Sequence, residues 1–196
     1  MFSRPISKHC MRFMPKIVSL FLAVTVAVSV LATSVARKSP EFTIAVPSGK
    51  NLPLSSFKGK VVVMEFFFIQ SNHCIRVAKL LNKLNAELGT QGLQPIGVVF
   101  DPPNMRESGG QMVPPMVDYF KLTYPIGYST KAEVDSYLGR KDKDILNIPQ
   151  IVVIDRAGMI RAVSGAAGGD PALEDESFLR TFLDGLLKEK PPATAK

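Results

Sequence analysis

Val61-Val62-Val63-Met64-Glu65-Phe66-Phe67-Phe68-Ile69-Gln70-Ser71-Asn72-His73-Cys74 is the stretch on which the reading of this chain turns. Eight of the nine residues from Val61 to Ile69 are apolar, and several are β-branched or aromatic. Such a run fits a central strand covered on both faces rather than an amphipathic edge strand. Glu65 is the exception, an acid where burial is expected. Beyond it, Val77, Leu80, Leu81, Leu84 and Leu88 recur at helical spacing with Lys79, Lys83 and Glu87 between them, which marks one buried helix face. Ser71 or Asn72 is placed to cap the first turn and Gly89 to end the last. His73 and Cys74 therefore fall in the first turn of a helix, directly after a buried strand.

Upstream, residues 1–16 carry Arg4, Lys8, Arg12 and Lys16 and no acid, and residues 17–36 are uncharged and mostly apolar. A basic flank followed by an apolar block is an export signature, and Ser34-Val35-Ala36 is an acceptable small-residue cleavage site. The apolar block is longer than the core of most cleaved signals and long enough to span a bilayer. Residues 1–36 thus read either as a signal peptide or as a membrane anchor through residues 17–36. The basic flank stays on the cytoplasmic side, which places Arg37 onward outside the cytoplasm. The expected location is the bacterial periplasm, with the protein tethered to the inner membrane or released.

Of the 196 residues, those from Arg37 onward suffice for one domain with a full core and are too few for two typical ones. The expectation is one domain over residues 37–190 and a disordered tail over 191–196. The net charge of +7 comes largely from the four basic residues of the leader, and no basic run with interleaved aromatics occurs. Nucleic-acid binding is not indicated. Arg140-Lys141-Asp142-Lys143-Asp144 alternates in sign and reads as a solvated loop.

Cys10 lies in the leader, so Cys74 is the lone thiol of the exported part and no internal disulfide is available to it. An unpaired cysteine in an oxidising compartment is either buried and inert or a reactive thiol. His73 is likewise the only histidine outside the leader, so one chain cannot assemble a zinc or copper site of the usual His and Cys ligands. No metal and no cofactor are expected. Met105, Met112 and Met116 read as core packing rather than a soft-metal site.

Further along, Leu93 to Asp101 reads as a second buried strand closed by Asp101-Pro102-Pro103, giving a βαβ unit with the helix between. Residues 102–111 look like an irregular surface insertion, followed by a helix with Pro114-Pro115 in its first turn. Tyr124–Tyr128 is a short extended stretch, and Thr130–Leu138 a short helix capped by Ser129 or Thr130. Ile148-Pro149 then leads into a β-hairpin, Gln150 to Asp155 and Met159 to Val163. Residues 165–173 form a Gly-rich loop lacking the Lys and Ser/Thr of a phosphate cradle. A final helix from Glu174 to Leu187 places Phe178, Phe182, Leu183 and Leu186 on its buried face.

Strand, Ser-X-X-Cys junction, helix, strand, Ile-Pro before a hairpin with Ile-Asp-X-X-Gly, and a closing helix together resemble the thioredoxin superfamily. Leu54-Ser55-Ser56-Phe57-Lys58-Gly59-Lys60 before the first strand resembles in particular its exported TlpA-like and redoxin (AhpC/TSA-related) branch. The resemblance covers about residues 40–188. It implies an α/β thioredoxin-like fold, a four- or five-stranded mixed sheet flanked by helices, and thiol-disulfide chemistry with a thiol- or disulfide-bearing protein substrate. Family members carry cysteines at both ends of the motif, whereas here Ser71-Asn72-His73-Cys74 has serine in the attacking position. A hydroxyl is no disulfide nucleophile, so Ser71 reads as a helix cap and any chemistry at Cys74 as monothiol chemistry. Glu65 matches the buried acid that accepts the second cysteine's proton. Pro149 matches the family's cis-proline, which would leave the backbone of Ile148 free to pair with an extended peptide.

Two other functions stay open. One is a non-catalytic peptide-binding or assembly role on the same fold, with Cys74 an inert core thiol. The other is a one-cysteine peroxidase, because peroxiredoxins share the fold and carry Thr or Ser three residues before their reactive cysteine. Against it, the proline of the peroxidatic loop would fall at Phe67 and the peroxide-polarising arginine at Pro149.

Overall fold

The computed structural model describes residues 37–100, 105–141, 143–164 and 171–190, and the side chains of 105–107 and 171 are not among those described. Residues 1–36, 101–104, 165–170 and 191–196 lie outside the described residues, as does Asp142. The expectations of an anchor or signal and of a disordered tail therefore fall outside them too. Among the described residues no helix is long and apolar enough to cross a membrane.

Strand β4 (Val61–Phe67) is buried along its whole length, Glu65 included, as a run apolar at all its other positions requires. It pairs in parallel with β5 (Leu93–Val99) and antiparallel with β7 (Gln150–Ile154). The remaining strands are β1 (Arg37–Lys38), β2 (Thr43–Ala45), β3 (Asn51–Pro53), β6 (Ile126–Tyr128) and β8 (Met159–Val163). The sheet order is β1-β8-β7-β4-β5-β6-β2-β3. Among the described residues this sheet has eight strands rather than the four or five expected. The additions are pieces of two and three residues, too short to show a period in sequence.

Alternation along β4 divides the core in two. Val61, Val63 and Phe67 face the cluster built from α1 (Asn72–Leu88), α2 (Met105–Phe120) and α5 (Glu176–Lys188). Val62, Met64 and Phe66 face the cluster of Phe42, Ile44 and residues of α3 (Lys131–Leu138). Phe42 and Tyr137 pack edge-on there at 5.1 Å.

Helix α1 buries Cys74, Ile75, Val77, Ala78, Leu81, Leu84 and Leu88. Gly89 is its C-cap but stays right-handed, and the chain runs through a 3₁₀ turn to Gly92, whose φ of 105° ends the turn. A Cβ on Gly92 would lie 2.9 Å from the guanidinium of Arg156. Arg156 donates from there to the carbonyls of Gly59, Gln91 and Leu187, tying the turn before β4, the 3₁₀ turn after α1 and the last turn of α5 (Glu176–Lys188) together.

Three expectations need correction. Helix α2 begins at Met105, so the expected irregular insertion is largely helical and Pro114 and Pro115 lie inside the helix rather than in its first turn. Tertiary packing overrides propensity here: the ring of Tyr128 lies so close to α2 that a Cβ on Gly109 would come within 2.3 Å of it. Met116 is buried, but Met112 is exposed and does not pack in the core. The closing helix is α5, which starts at Glu176 with Asp175 as its cap accepting from the Phe178 N–H at 2.8 Å, while a separate short helix, α4 (Pro171–Glu174), begins where the Gly-rich loop was expected to continue to residue 173. Leu179, Leu183 and Leu186 form the buried face of α5, while Phe178 and Phe182 are only partly buried and stack on each other at 6.2 Å.

Candidate functional site

Ser71 is the N-cap of α1, in extended conformation, and its Oγ accepts from the Cys74 N–H at 3.3 Å. The hydroxyl thus satisfies one of the four amide donors that a helix start leaves unpaired. Cys74 is fully covered and is a free thiol. Burial pushes its pKa up, hydrogen bonds from Ser71 and the Phe68 backbone pull it back, and the charge of Glu65 pushes it up again. The order of these causes decides the resting state: the sulfur is protonated and shielded, not a surface thiolate.

Glu65 is the central group. Period-2 alternation places it between Val63 and Phe67 on the α1 side of β4, in the same layer as Cys74. It is fully buried, and neither carboxyl oxygen has a hydrogen-bond partner among the described residues. Burial raises its pKa well above the usual carboxylate range, and the charge of Glu174 raises it further. A charged carboxylate sealed in this way without partners would be very costly, so the group holds its proton. Tyr124 lies within the field of Glu65, and burial first and that charge second push its phenol well up. Its hydroxyl donates to the Ala78 carbonyl at 3.2 Å.

His73 points outward from the same turn, and its Nε2 contacts Oε2 of Glu174. Glu174 ends α4, which is seated by Leu173 in the cluster that holds Cys74. Sequence reading missed Glu174 as a member of this group. It lies 101 residues from His73, and nothing in its neighbourhood marks it.

The peptide bond between Ile148 and Pro149 is cis. Gln150 pairs with Phe66, so Pro149 falls level with Phe67 at the end of β4 from which the chain turns into α1. Ile148 packs against both core clusters. In the preceding segment Lys141, Lys143 and Asp144 are exposed, as the alternating charges indicated, but the side chain of Arg140 turns inward. The Arg140 guanidinium is 4% exposed, bonds Asp135 at 3.1 Å and donates to the carbonyls of Asp144 and Ile145. It fixes the approach to Pro149.

No curated protein matches the chain in sequence. Among solved structures, a thioredoxin-family thiol:disulfide interchange protein from Chlorobium tepidum is 18% identical, with a TM-score of 0.59 over 78% of this chain and 97% of that one. The thioredoxin domain of a thiol-disulfide oxidoreductase from Bacteroides vulgatus is 20% identical, with a TM-score of 0.57 over 76% and 96%. BsSco, a member of the Sco family of cytochrome c oxidase assembly proteins, is 14% identical, with a TM-score of 0.58 over 80% and 97%. These likenesses establish a thioredoxin-like fold. The AhpC/TSA family model matches residues 35–163, which takes in the central strand, the Ser71–Cys74 turn and the proline-led hairpin, and on that match the chain belongs to the AhpC/TSA family.

Proposed function

We propose that this protein is an exported thiol-disulfide redox protein that works through the single thiol of Cys74, with Glu65 as proton acceptor. The observation that carries the reading is Glu65, a buried carboxyl with no hydrogen-bond partner among the described residues, in the same core layer as the only thiol described. A group so costly to bury is explained by a task in proton transfer. In the proposed cycle ionised Glu65 takes the proton from Cys74 Sγ, and the thiolate attacks one sulfur of a disulfide-bearing partner protein. The partner's S–S bond breaks, a mixed disulfide forms, and the leaving thiolate is protonated by Glu65. Because Ser71 cannot resolve that bond, an external thiol must attack it to release Cys74. For the sulfur to reach a partner, the first turn of α1 has to open. The partner's extended chain would pair with the Ile148 backbone before the cis-proline. Export follows from the basic-then-apolar residues 1–36, as a cleaved signal or as an anchor through 17–36.

The burial of Cys74 favours a second reading, a non-catalytic peptide-binding or assembly role. A peroxidase role has less support, since it needs an exposed low-pKa thiolate and Pro149 stands where the arginine would be. Alkylation of Cys74 in the folded full chain as a function of pH separates the readings. The redox reading expects a rate faster than global unfolding and rising with pH through a midpoint above that of free cysteine, about 8.5. Alkylation at the unfolding rate alone, at every pH, assigns the protein to the binding role.

A further inference from the structure

Arg37 of β1 pairs with Ile160, Ile160 with Ile154, and Ile154 with Val62, so these residues form one row across the sheet near the end where β4 begins. Cys74 follows the other end of β4, and the seven residues of that strand hold the two ends roughly 20 Å apart. Beside the row lies a cavity of about 280 Å³. Its floor is apolar, with Leu54, Val62 and Ile154 buried and Phe57 half-buried. Its rim carries three exposed lysines, Lys38, Lys58 and Lys60. Lys60 donates to Oε1 of Gln94 at 2.9 Å, which brings no charge, and the side chains of Lys38 and Lys58 have no polar partner among the described residues. Two acids line the same cavity. Asp155 is paired with Arg161 at 3.0 Å and accepts from the amides of Ala157 and Met159, while Glu41 accepts from the Ser55 amide at 3.1 Å. Three cations thus ring the opening against one acid that is outside any ion pair among the described residues. Like charges so arranged repel one another, and a bound anion relieves them.

We propose that this end of the sheet seats the head group of an anionic phospholipid at a bilayer surface, the lysines against its phosphate and the apolar floor against the first carbons below it. Cations alone would serve any anion and the floor alone any hydrophobe; a phosphate on an apolar stem matches both. At about 280 Å³ the cavity is small for a ligand site, with room for a head group and not for a nucleotide-sized cofactor. The export reading supplies the membrane, because the apolar residues 17–36 run directly into Arg37, which belongs to the same row as Val62 and Ile154 of the floor. Basic residues close to a membrane-inserted segment are attracted to anionic lipid, and long lysine stems lie along apolar surface while their heads reach the phosphates. With this end seated, the Ser71–Cys74 turn at the opposite end of β4 is held away from the lipid, where a partner protein reaches it. The seat stands apart from the chemistry of Cys74 and is measurable without any thiol.

The test is acetylation of lysines, read residue by residue by mass spectrometry, on the full chain in vesicles of phosphatidylcholine alone and of phosphatidylcholine mixed with phosphatidylglycerol. Both kinds of vesicle should take up the apolar block, so the difference between them reports the lysine-rimmed end. Acetylation of Lys38, Lys58 and Lys60 is expected to slow by about fivefold in the phosphatidylglycerol vesicles and to recover at high salt. Lys79 and Lys83 of α1 should react alike in both. Lys58→Gln/Lys60→Gln should abolish the protection of Lys38, and both positions are exposed, so the fold is not at stake. Equal reaction of the three lysines in the two kinds of vesicle overturns the proposal. Equal slowing at Lys79 and Lys83 also overturns it, since that marks attraction of the whole surface rather than a seat. Protection by inorganic phosphate in the phosphatidylcholine vesicles, with none from phosphatidylglycerol, assigns the cavity to a free anion and overturns the lipid. None of these readouts involves Cys74, so failure of the redox reading and failure of the lipid seat are distinct.

Discussion

Glu65 binds its proton more tightly in the folded chain than in the unfolded one, since burial and then Glu174 oppose ionisation. The sign of the linkage follows. Stability from this group is complete below the unfolded carboxyl value of about 4.3 and is lost as pH rises toward the folded value. Glu65→Gln removes that loss, so wild type and variant should be nearly equal at about pH 4. The variant should then gain up to about 1.4 kcal/mol per pH unit through the window between the two values. Denaturant melts across pH check this, and a gap independent of pH would contradict the proton's place in the core. At Ser71, one atom separates a cap from a nucleophile. Ser71→Ala should cost about 1 kcal/mol through the lost bond to the Cys74 amide. Ser71→Cys should restore disulfide reductase turnover where wild type has almost none, as an insulin-reduction assay would show. An inactive but folded Ser71→Cys would count for the binding role. The cap at Ser71 and the burial of Glu65 were readable, because each depends on neighbours within a turn or on strand alternation, whereas sequence left the burial of Cys74 open. Glu174 was not, because its partner His73 is distant in sequence and only the packing of Leu173 brings them together.

Helix α2 carries the sharpest contrast at the level of elements. Gly109 and Gly110 are adjacent and look alike in sequence, yet a Cβ at Gly109 would meet the Tyr128 ring at 2.3 Å while one at Gly110 would sit 3.8 Å from the Tyr128 hydroxyl. Gly110→Ala should therefore stabilise the helix by up to about 1 kcal/mol, the usual difference in propensity. Gly109→Ala should destabilise by roughly 1–3 kcal/mol, as overpacking does. Equal effects in thermal melts would refute the close approach of Tyr128. The Gly-Gly and Pro-Pro pairs made this segment read as irregular up to residue 111, since local rules cannot see a ring from β6. Arg140 shows the same limit. Its sequence neighbours alternate in charge like a surface loop, but Asp135 and two carbonyls draw the guanidinium inward. By contrast, α1, α3 and the β7–β8 hairpin were legible, because caps, periodicity and turn residues all agree with the packing. Thr130 caps α3 in a reciprocal box with Glu133, as the Thr-X-X-Glu spacing foretells.

For the molecule as a whole, the proposed export has a direct check. Fractionation of the native host should place the chain in the periplasm or the inner membrane, with protease accessibility from the outer side. A soluble cytoplasmic pool of full-length protein would contradict it. The central strands followed from the apolar runs, but their order and the breadth of the sheet did not, since pairing is set by packing and the flanks are pieces too short to carry a pattern. Those short flanks bear on how the protein behaves in bulk. Of the described residues, one outermost strand consists of Arg37–Lys38 and the other of three residues ending in Pro53. Among the described residues, so little free ladder gives another chain almost nothing to extend. Among the described residues the amyloid-prone window is Val61–Ile69, and seven of its residues form the innermost strand. Aggregation is therefore gated by unfolding rather than by contacts between native molecules, and it should follow the fraction of unfolded chain rather than total concentration.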